Sequence, residues 1–316
     1  MSARVVTLGE TMALLRADAV GSLAHLGALS IGVGGSESNV AIGLRRLGVE
    51  ATWVGRVGDD SLGVRVAREL RAEGVDARVI VDGGARTGLM LKERPSGDAT
   101  SVHYYRTGSA GSRLDADDLP ADVLDGAALL HLTGITPLLS ASCLAVAHAA
   151  VDRARAAGVP VSFDVNHRTA LGAADAAGPV LRELAERADV LIGGEEELRL
   201  VGGTGDDAAE VAASLASRGR SVVAKLGERG ALAIVDGRLA RHDGFRVAVV
   251  DTVGAGDAFV AGYLSAQLEG QPVEERLRRG NACGALLCTV PGDWESAPTL
   301  RQVQRFLEAG RDPVSR

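Results

Sequence analysis

The chain has no apolar run near the ~18 residues that cross a bilayer, and residues 1–10 lack the apolar core of a signal peptide. A cytoplasmic protein with no membrane partner is expected. A basic face is missing too: the net charge is −7, the isoelectric point is near 5.5, and no cluster joins basic to aromatic residues. These features argue against a nucleic-acid partner. Lysine is nearly absent, with only Lys92 and Lys225 against many arginines. Cys143, Cys283 and Cys288 form no Cys-x-x-Cys pair, and none of the six histidines stands at ligand spacing from another donor, which argues against structural zinc. The cysteines are expected on helices as small buried hydrophobes. No Gly-x-x-x-x-Gly-Lys-Ser/Thr occurs, so a P-loop is excluded. A nicotinamide-dependent dehydrogenase would need Gly-x-Gly-x-x-Gly after its first strand, where Gly9-Glu10 stands instead.

What is present is apolar sequence, 46% of 316 residues, enough to bury about three quarters of the unfolded surface. Residues 5–8 read as a strand. Residues 12–15 and 28–33 again read as strands, where a doubly wound fold would place a helix. A helix opens at Gly34-Gly35-Ser36-Glu37-Ser38-Asn39, carries Val40, Leu44 and Leu47 at helical spacing, and stops at Gly48. Strand 52–57 and helix 61–73 follow. Residues 88–93 and 100–105 read as a hairpin around Pro95-Ser96-Gly97-Asp98, which with the early strands would make a small separate sheet. Strands at 127–132, 161–165, 190–192 and 222–226 then alternate with helices at 141–157, 176–187 and 208–217. That alternation predicts an α/β fold, a mostly parallel central sheet with helices on both faces. Ligands in such sheets gather at the carboxyl ends of strands, and Asn166, Lys225 and Gly254 each follow one.

The densest signal is Asp251-Thr252-Val253-Gly254-Ala255-Gly256-Asp257. Residues 247–250 before it read as a strand and 258–268 after it as a buried helix. A glycine-rich turn leading into a helix aims backbone N–H groups at one point, which favours a phosphate or oxyanion there. Asp257 adds a carboxylate able to accept a proton from a hydroxyl beside it, although by itself it is equally an ordinary N-terminal helix residue. Cradle and base together suit phosphoryl transfer from a nucleotide to an alcohol.

This Asp-Thr-x-Gly-Ala-Gly-Asp run resembles the C-terminal signature of the ribokinase-like (PfkB) sugar kinase family, and the likeness covers nearly the whole chain. Gly34, Gly35 and Asn39 resemble the family's sugar-holding segment; read alone, the polar side chains of this helix start can bind hydroxyls or anions, and Ser38 is equally an N-cap. The passage Gly55-Arg56-Val57-Gly58-Asp59-Asp60 also matches. Lys225-Leu226-Gly227-Glu228-Arg229-Gly230 resembles the ATP loop, and 227–230 reads equally as a β-turn. The resemblance implies one ribokinase-like unit over 1–316, with segments at about 11–33 and 86–106 forming a lid that in the family often pairs with a second lid in a dimer. It implies Asp257 as base and Gly254, Ala255 and Gly256 as anion hole. Substrate would lie against Gly34, Gly35, Asn39, Tyr104, Arg106, Arg168, Asp257 and Asp293; ATP against Asn166, Lys225, Gly227, Gly230, Gly254, Gly256 and Asn281. Mg2+ accompanies ATP, and a K+ requirement stays open.

Within the family, the nearest likeness is to members acting on a sugar acid. It rests on Tyr104-Tyr105-Arg106, Gly108-Ser109-Ala110-Gly111-Ser112, the run from His131 to Pro137, and Asp164-Val165-Asn166-His167-Arg168. Arginine is the physical clue, because a guanidinium grips a carboxylate through two parallel hydrogen bonds. Read as residues alone, Arg106 and Arg168 are equally surface cations, Tyr104 a packing residue and Asp293 a turn aspartate. Kinases of neutral sugars such as fructose or ribose are the rival. A sugar-responsive binding protein without catalysis is opposed by the intact Gly254-Ala255-Gly256-Asp257. Two positions depart from the family: Gly194 stands where Asn-x-x-Glu is usual, leaving Glu197 an indirect role with Mg2+, and Met90 stands where some relatives place a tyrosine.

Overall fold

The computed structural model describes residues 3–96, 99–216 and 220–309. Gly97 and Asp98 of the expected hairpin turn, and Ser217 at the end of the expected helix 208–217, lie outside the described residues. The elements are β1 (Arg4–Leu8), β2 (Met12–Arg16), β3 (Ser30–Gly34), α1 (Ser36–Arg46), β4 (Glu50–Gly58), α2 (Ser61–Ala72), β5 (Asp76–Asp82), β6 (Leu89–Ser96) and β7 (Ala99–Tyr105). There follow β8 (Leu129–Thr133), α3 (Ala141–Ala156), β9 (Val161–Asp164), α4 (Ala174–Glu186), β10 (Val190–Gly194), α5 (Glu195–Leu200), α6 (Ala208–Ala216) and β11 (Ser221–Lys225). The chain closes with β12 (Ala231–Val235), β13 (Arg238–His242), α7 (Ala255–Leu268), α8 (Val273–Leu287) and α9 (Leu300–Ala309).

Nine strands form one sheet in the order β13-β12-β11-β10-β9-β8-β1-β4-β5. Pairing is parallel from β11 through β5, and β12 and β13 join antiparallel at the other edge. Adjacent residues of its strands enter opposite cores: Val5, Trp53, Leu129 and Val223 one, Val6, Val54, Leu130 and Val222 the other. This period of two, apolar on both sides, is why the strands read as continuous hydrophobic runs. The second sheet has the order β3-β2-β6-β7, with β2 and β6 parallel, and is the small sheet anticipated from the early strands and the hairpin.

Three readings need correction. Residues 247–250 are not a strand; they run as an irregular segment with Val249 exposed, and the N–H groups of Val250 and Asp251 both donate to the Cys288 carbonyl, at 2.8 and 3.2 Å. The end of α8, not a neighbouring strand, takes their hydrogen bonds. Ser38 is not the N-cap of α1: Gly35 holds that position, and Ser38 Oγ donates back to the Gly35 carbonyl at 2.9 Å. Finally, β5, α5, β12, β13 and α9 had no counterpart in the sequence reading. By contrast α7, buried along one unbroken run from Asp257 to Ala266, packs against α1 and α8, as a helix apolar on all sides must. Among the described residues no helix is long and apolar enough to cross a membrane.

Candidate active site

The N-termini of α1 and α7 meet at the carboxyl edge of the large sheet. Gly254 caps α7 with φ +80°, and a Cβ there would run into the Asp293 carbonyl, so the turn admits glycine alone. The Ala255 N–H donates to Thr252 O at 3.3 Å and closes the turn. Asp257, in the first turn of α7, is 6% exposed and faces a narrow cavity of about 70 Å3. Its Oδ1 accepts from Ser36 Oγ at 2.7 Å and its Oδ2 from Asn39 Nδ2 at 2.8 Å. Both donors come from the first turn of α1, so the two helix starts are cross-braced through the carboxylate.

The Asn39 amide also donates to Asp293 Oδ1 at 3.1 Å. Burial first, then the nearby Asp257 charge, pushes the Asp293 carboxyl up to about 7. Glu37, fully buried behind the site, accepts from Thr133 and Thr136 at 2.7 and 2.6 Å; burial raises its pKa.

Beyond Asp257 lies a wider cavity of about 1070 Å3, lined by Lys225, Gly227, Gly230, Thr252, Ala255, Gly256 and Asn281 among others. Lys225 Nζ is gripped by both Asp164 oxygens at 2.7 and 2.8 Å and sits 3.6 Å from where a Gly256 Cβ would stand. Its ammonium therefore lies beside the turn's amides. Burial opposes that charge, yet Asp164 and Glu197 hold the Lys225 pKa above its ordinary value. Burial lifts the Asp164 carboxyl to about 6 against the pull of Lys225. Gly227 and Gly230 have φ +61° and +87° around a single turn, and Asn281 Nδ2 donates to His242 O at 2.9 Å.

Of the anticipated site residues, the narrow cavity gathers Gly35, Asn39, Tyr104, Arg106, Arg168, Gly254, Asp257 and Asp293, with Met90 beside them. Gly34 lies just behind, where a Cβ would strike Asp293 Oδ2 and the Met90 methyl. Arg106 is not a free cation: its Nε and Nη2 reach Glu10 Oε2 at 2.7 and 2.6 Å, and it lies 5.6 Å from the Tyr104 ring. Arg168 is exposed at the cavity's edge. Asn166, expected on the nucleotide side, is buried instead with φ +36°, and its Nδ2 donates to Ser36 Oγ at 2.7 Å, one bond behind Asp257. Glu197 caps α5, accepting from the N–H groups of Gly194 and His167 at 2.7 and 2.9 Å. That second bond ties the loop after β9 to α5.

Sequence reasoning assigned no site role to Glu10, Ser36, Glu37 or Asp164. Ser36 and Glu37 sit between the chosen Gly35 and Asn39, and Asp164 ends a strand two residues before Asn166; those positions were the available signal. Nothing near Glu10 hints at Arg106, 96 residues away.

A buried carboxylate on a helix start, held between a narrow polar cavity and a wide one that carries a lysine against the amide turn, belongs to an ATP-dependent sugar kinase of ribokinase-like fold. The chain is a member of the pfkB family of carbohydrate kinases, whose model matches residues 2–300. It is 40% identical over 318 residues to 2-dehydro-3-deoxygluconokinase of Bacillus subtilis, covering 98% of this chain and 97% of that one. The solved 2-dehydro-3-deoxygluconokinase of Thermotoga maritima superposes with a TM-score of 0.89 at 28% identity, covering 98% of this chain and 99% of that one. A Vibrio cholerae fructokinase, solved with fructose, ADP and potassium, gives 0.85 at 27% identity, covering 96% and 98%.

Proposed function

We propose that the chain transfers phosphate from ATP to the terminal primary hydroxyl of 2-keto-3-deoxygluconate. The observation that carries the sugar-acid reading is that Arg106 and Arg168 line the same narrow cavity as Asp257, so one sugar can offer a carboxylate to arginine at one end and a hydroxyl to Asp257 at the other. The 40% identity to a kinase named for that sugar acid supports it.

In this reading Asp257 takes the hydroxyl proton, with Ser36 and Asn39 fixing the orientation of its two oxygens. The amides of Gly254 and Gly256, with Lys225 beside them and the Ala255 N–H shared with Thr252 O, hold the charge that grows on the transferred group. Gly227, Gly230 and Asn281 border the nucleotide, whose size suits the wider cavity. Among the described residues no cluster of three acidic, histidine or cysteine side chains forms a metal cage, and both Glu197 oxygens are engaged. That donor set fits a Mg2+ held by phosphates and water, with Glu197 acting through the loop it braces. Bound there, Mg2+ neutralises phosphate charge.

The protein works as one catalytic unit over 1–316, in the cytoplasm, with the small sheet as lid. Ile31 and Tyr105 expose 46% and 64% of their surface on that sheet, which supports pairing with a second copy there. The rival reading, a fructokinase or ribokinase, draws on the Glu10 pairing that already compensates Arg106.

A substrate panel followed by ATP consumption tests the assignment. A buried charged hydrogen bond left unmade costs roughly 1.5–3 kcal/mol, so kcat/KM should be about 10- to 100-fold higher for the sugar acid than for fructose or ribose. Equal or greater turnover of a neutral sugar removes the assignment and leaves the kinase class standing.

A further inference from the structure

Lys92, one of only two lysines in the chain, sits in the middle of β6 in the small sheet, with its side chain 2% exposed. It reaches out of that sheet to the far end of the sequence. Nζ meets Asp251 Oδ2 at 2.5 Å and donates to the Gly292 carbonyl at 2.8 Å. Asp251 opens the glycine turn, is 3% exposed at its side chain, and accepts from the N–H groups of Val253 and Gly292 at 3.2 and 3.3 Å. The residue after Gly292 is Asp293, whose carbonyl packs against Gly254. One buried carboxylate therefore sets both the entry to the anion turn and the loop that the turn leans on.

Such a carboxylate needs a counter-charge at hand, because an unpaired buried charge is strongly destabilising. Its surroundings, a carboxylate oxygen and a main-chain carbonyl oxygen, are hard oxygen donors that suit an ammonium or an alkali cation alike. Here the ammonium is covalently part of the chain. The place an alkali ion would take against Asp251 is filled, and the residues present do not fit a K+ there.

We propose that Lys92 is a positioning residue serving as a built-in cation: held between the Asp251 carboxylate and the Gly292 carbonyl, its ammonium keeps the anion turn in shape and frees this kinase from a potassium requirement. The inference rests on the turn at Gly254–Gly256 being the phosphoryl site, and not on which sugar is used.

The test compares the wild-type protein with Lys92→Met in tetramethylammonium, sodium, potassium and ammonium chlorides at equal ionic strength. Two quantities are read: turnover with whichever sugar of a substrate panel reacts best, and the melting temperature. Wild-type turnover should vary less than about twofold among the salts, with no potassium-specific rise in melting temperature, since no site is left for mass action to fill. Lys92→Met should lose at least about tenfold in tetramethylammonium, regain part of the loss in potassium or ammonium, and melt higher in those two salts than in tetramethylammonium. Activation of the wild type tenfold or more by potassium overturns the proposal. So does a folded Lys92→Met that is as active as wild type without a small cation, or one whose loss no cation changes. If Lys92→Met does not fold, the wild-type salt profile decides alone. A wild type inert towards every sugar counts against the kinase reading, while its melting profile still reports on Lys92.

Discussion

Asp257 and Asp293 are held on the two sides of a single amide, Asn39 Nδ2, which donates to one at 2.8 Å and to the other at 3.1 Å. Burial first, then the Asp257 charge, lift the Asp293 carboxyl to about 7.

Replacing Asp257 by Asn keeps the size and removes the carboxylate proposed as the base. Turnover should fall by about a thousandfold, within the range of general-base effects, while ATP affinity stays within about twofold. Stopped-flow or coupled assays for the first and calorimetry for the second check this; an active Asn variant ends the assignment.

Asp293→Asn carries a pH signature. The folded-state pKa is raised from 3.8 to about 7, so protonation of Asp293 stabilises the fold fully below about pH 4 and that contribution is lost as pH rises through 7. The Asn variant mimics the protonated form. Its melting temperature relative to wild type should climb by several degrees between pH 4 and pH 8. A flat difference across that window refutes the shift.

Removing the Lys225 ammonium leaves Asp164, 1% exposed at its side chain, without its partner. Lys225→Met should cost about 3 kcal/mol of stability, as broken buried pairs do, and weaken nucleotide binding. Adding Asp164→Asn should restore much of the stability in denaturant titrations but none of the binding, which separates the two roles of the lysine.

Gly254→Ala places a Cβ at φ +80° against the Asp293 carbonyl. The left-handed conformation alone costs about 1–2 kcal/mol, and the turn must shift to relieve the contact. Melting should drop by a few degrees and turnover by at least about a hundredfold. Wild-type turnover in this variant means the turn is not the anion site.

Arg168→Ala tests the carboxylate grip. KM for the sugar acid should rise about 10- to 100-fold, and KM for fructose should not change. Parallel losses on both sugars assign Arg168 a structural role.

How much of this was legible in the sequence follows from the range of each interaction. The strands of the large sheet announce themselves because both faces are apolar, as with Val5 and Val6 or Val222 and Val223. β5 did not, since its exposed and buried residues mix at a sheet edge, and β12 and β13 are short antiparallel strands, β13 at the other edge and β12 next to it, beside Gly230 and Gly237. Residues 247–250 have strand composition without a strand to pair with, which composition cannot report. The turn at Gly254 was readable because a backbone at positive φ leaves a local mark. The partners of Arg106, Asn166 and Lys92 were not, because each bond joins residues far apart in the chain: Glu10, Ser36 and Asp251.

The sequence by itself determined the alternation of strand and helix, the small extra sheet, and the Asp251 to Asp257 turn, since each follows from periodicity or from glycine's backbone freedom over a few residues. Only the tertiary structure decided which carboxyls are paired and which stand ready, because charge in a buried site depends on neighbours that the fold alone brings within hydrogen-bond reach.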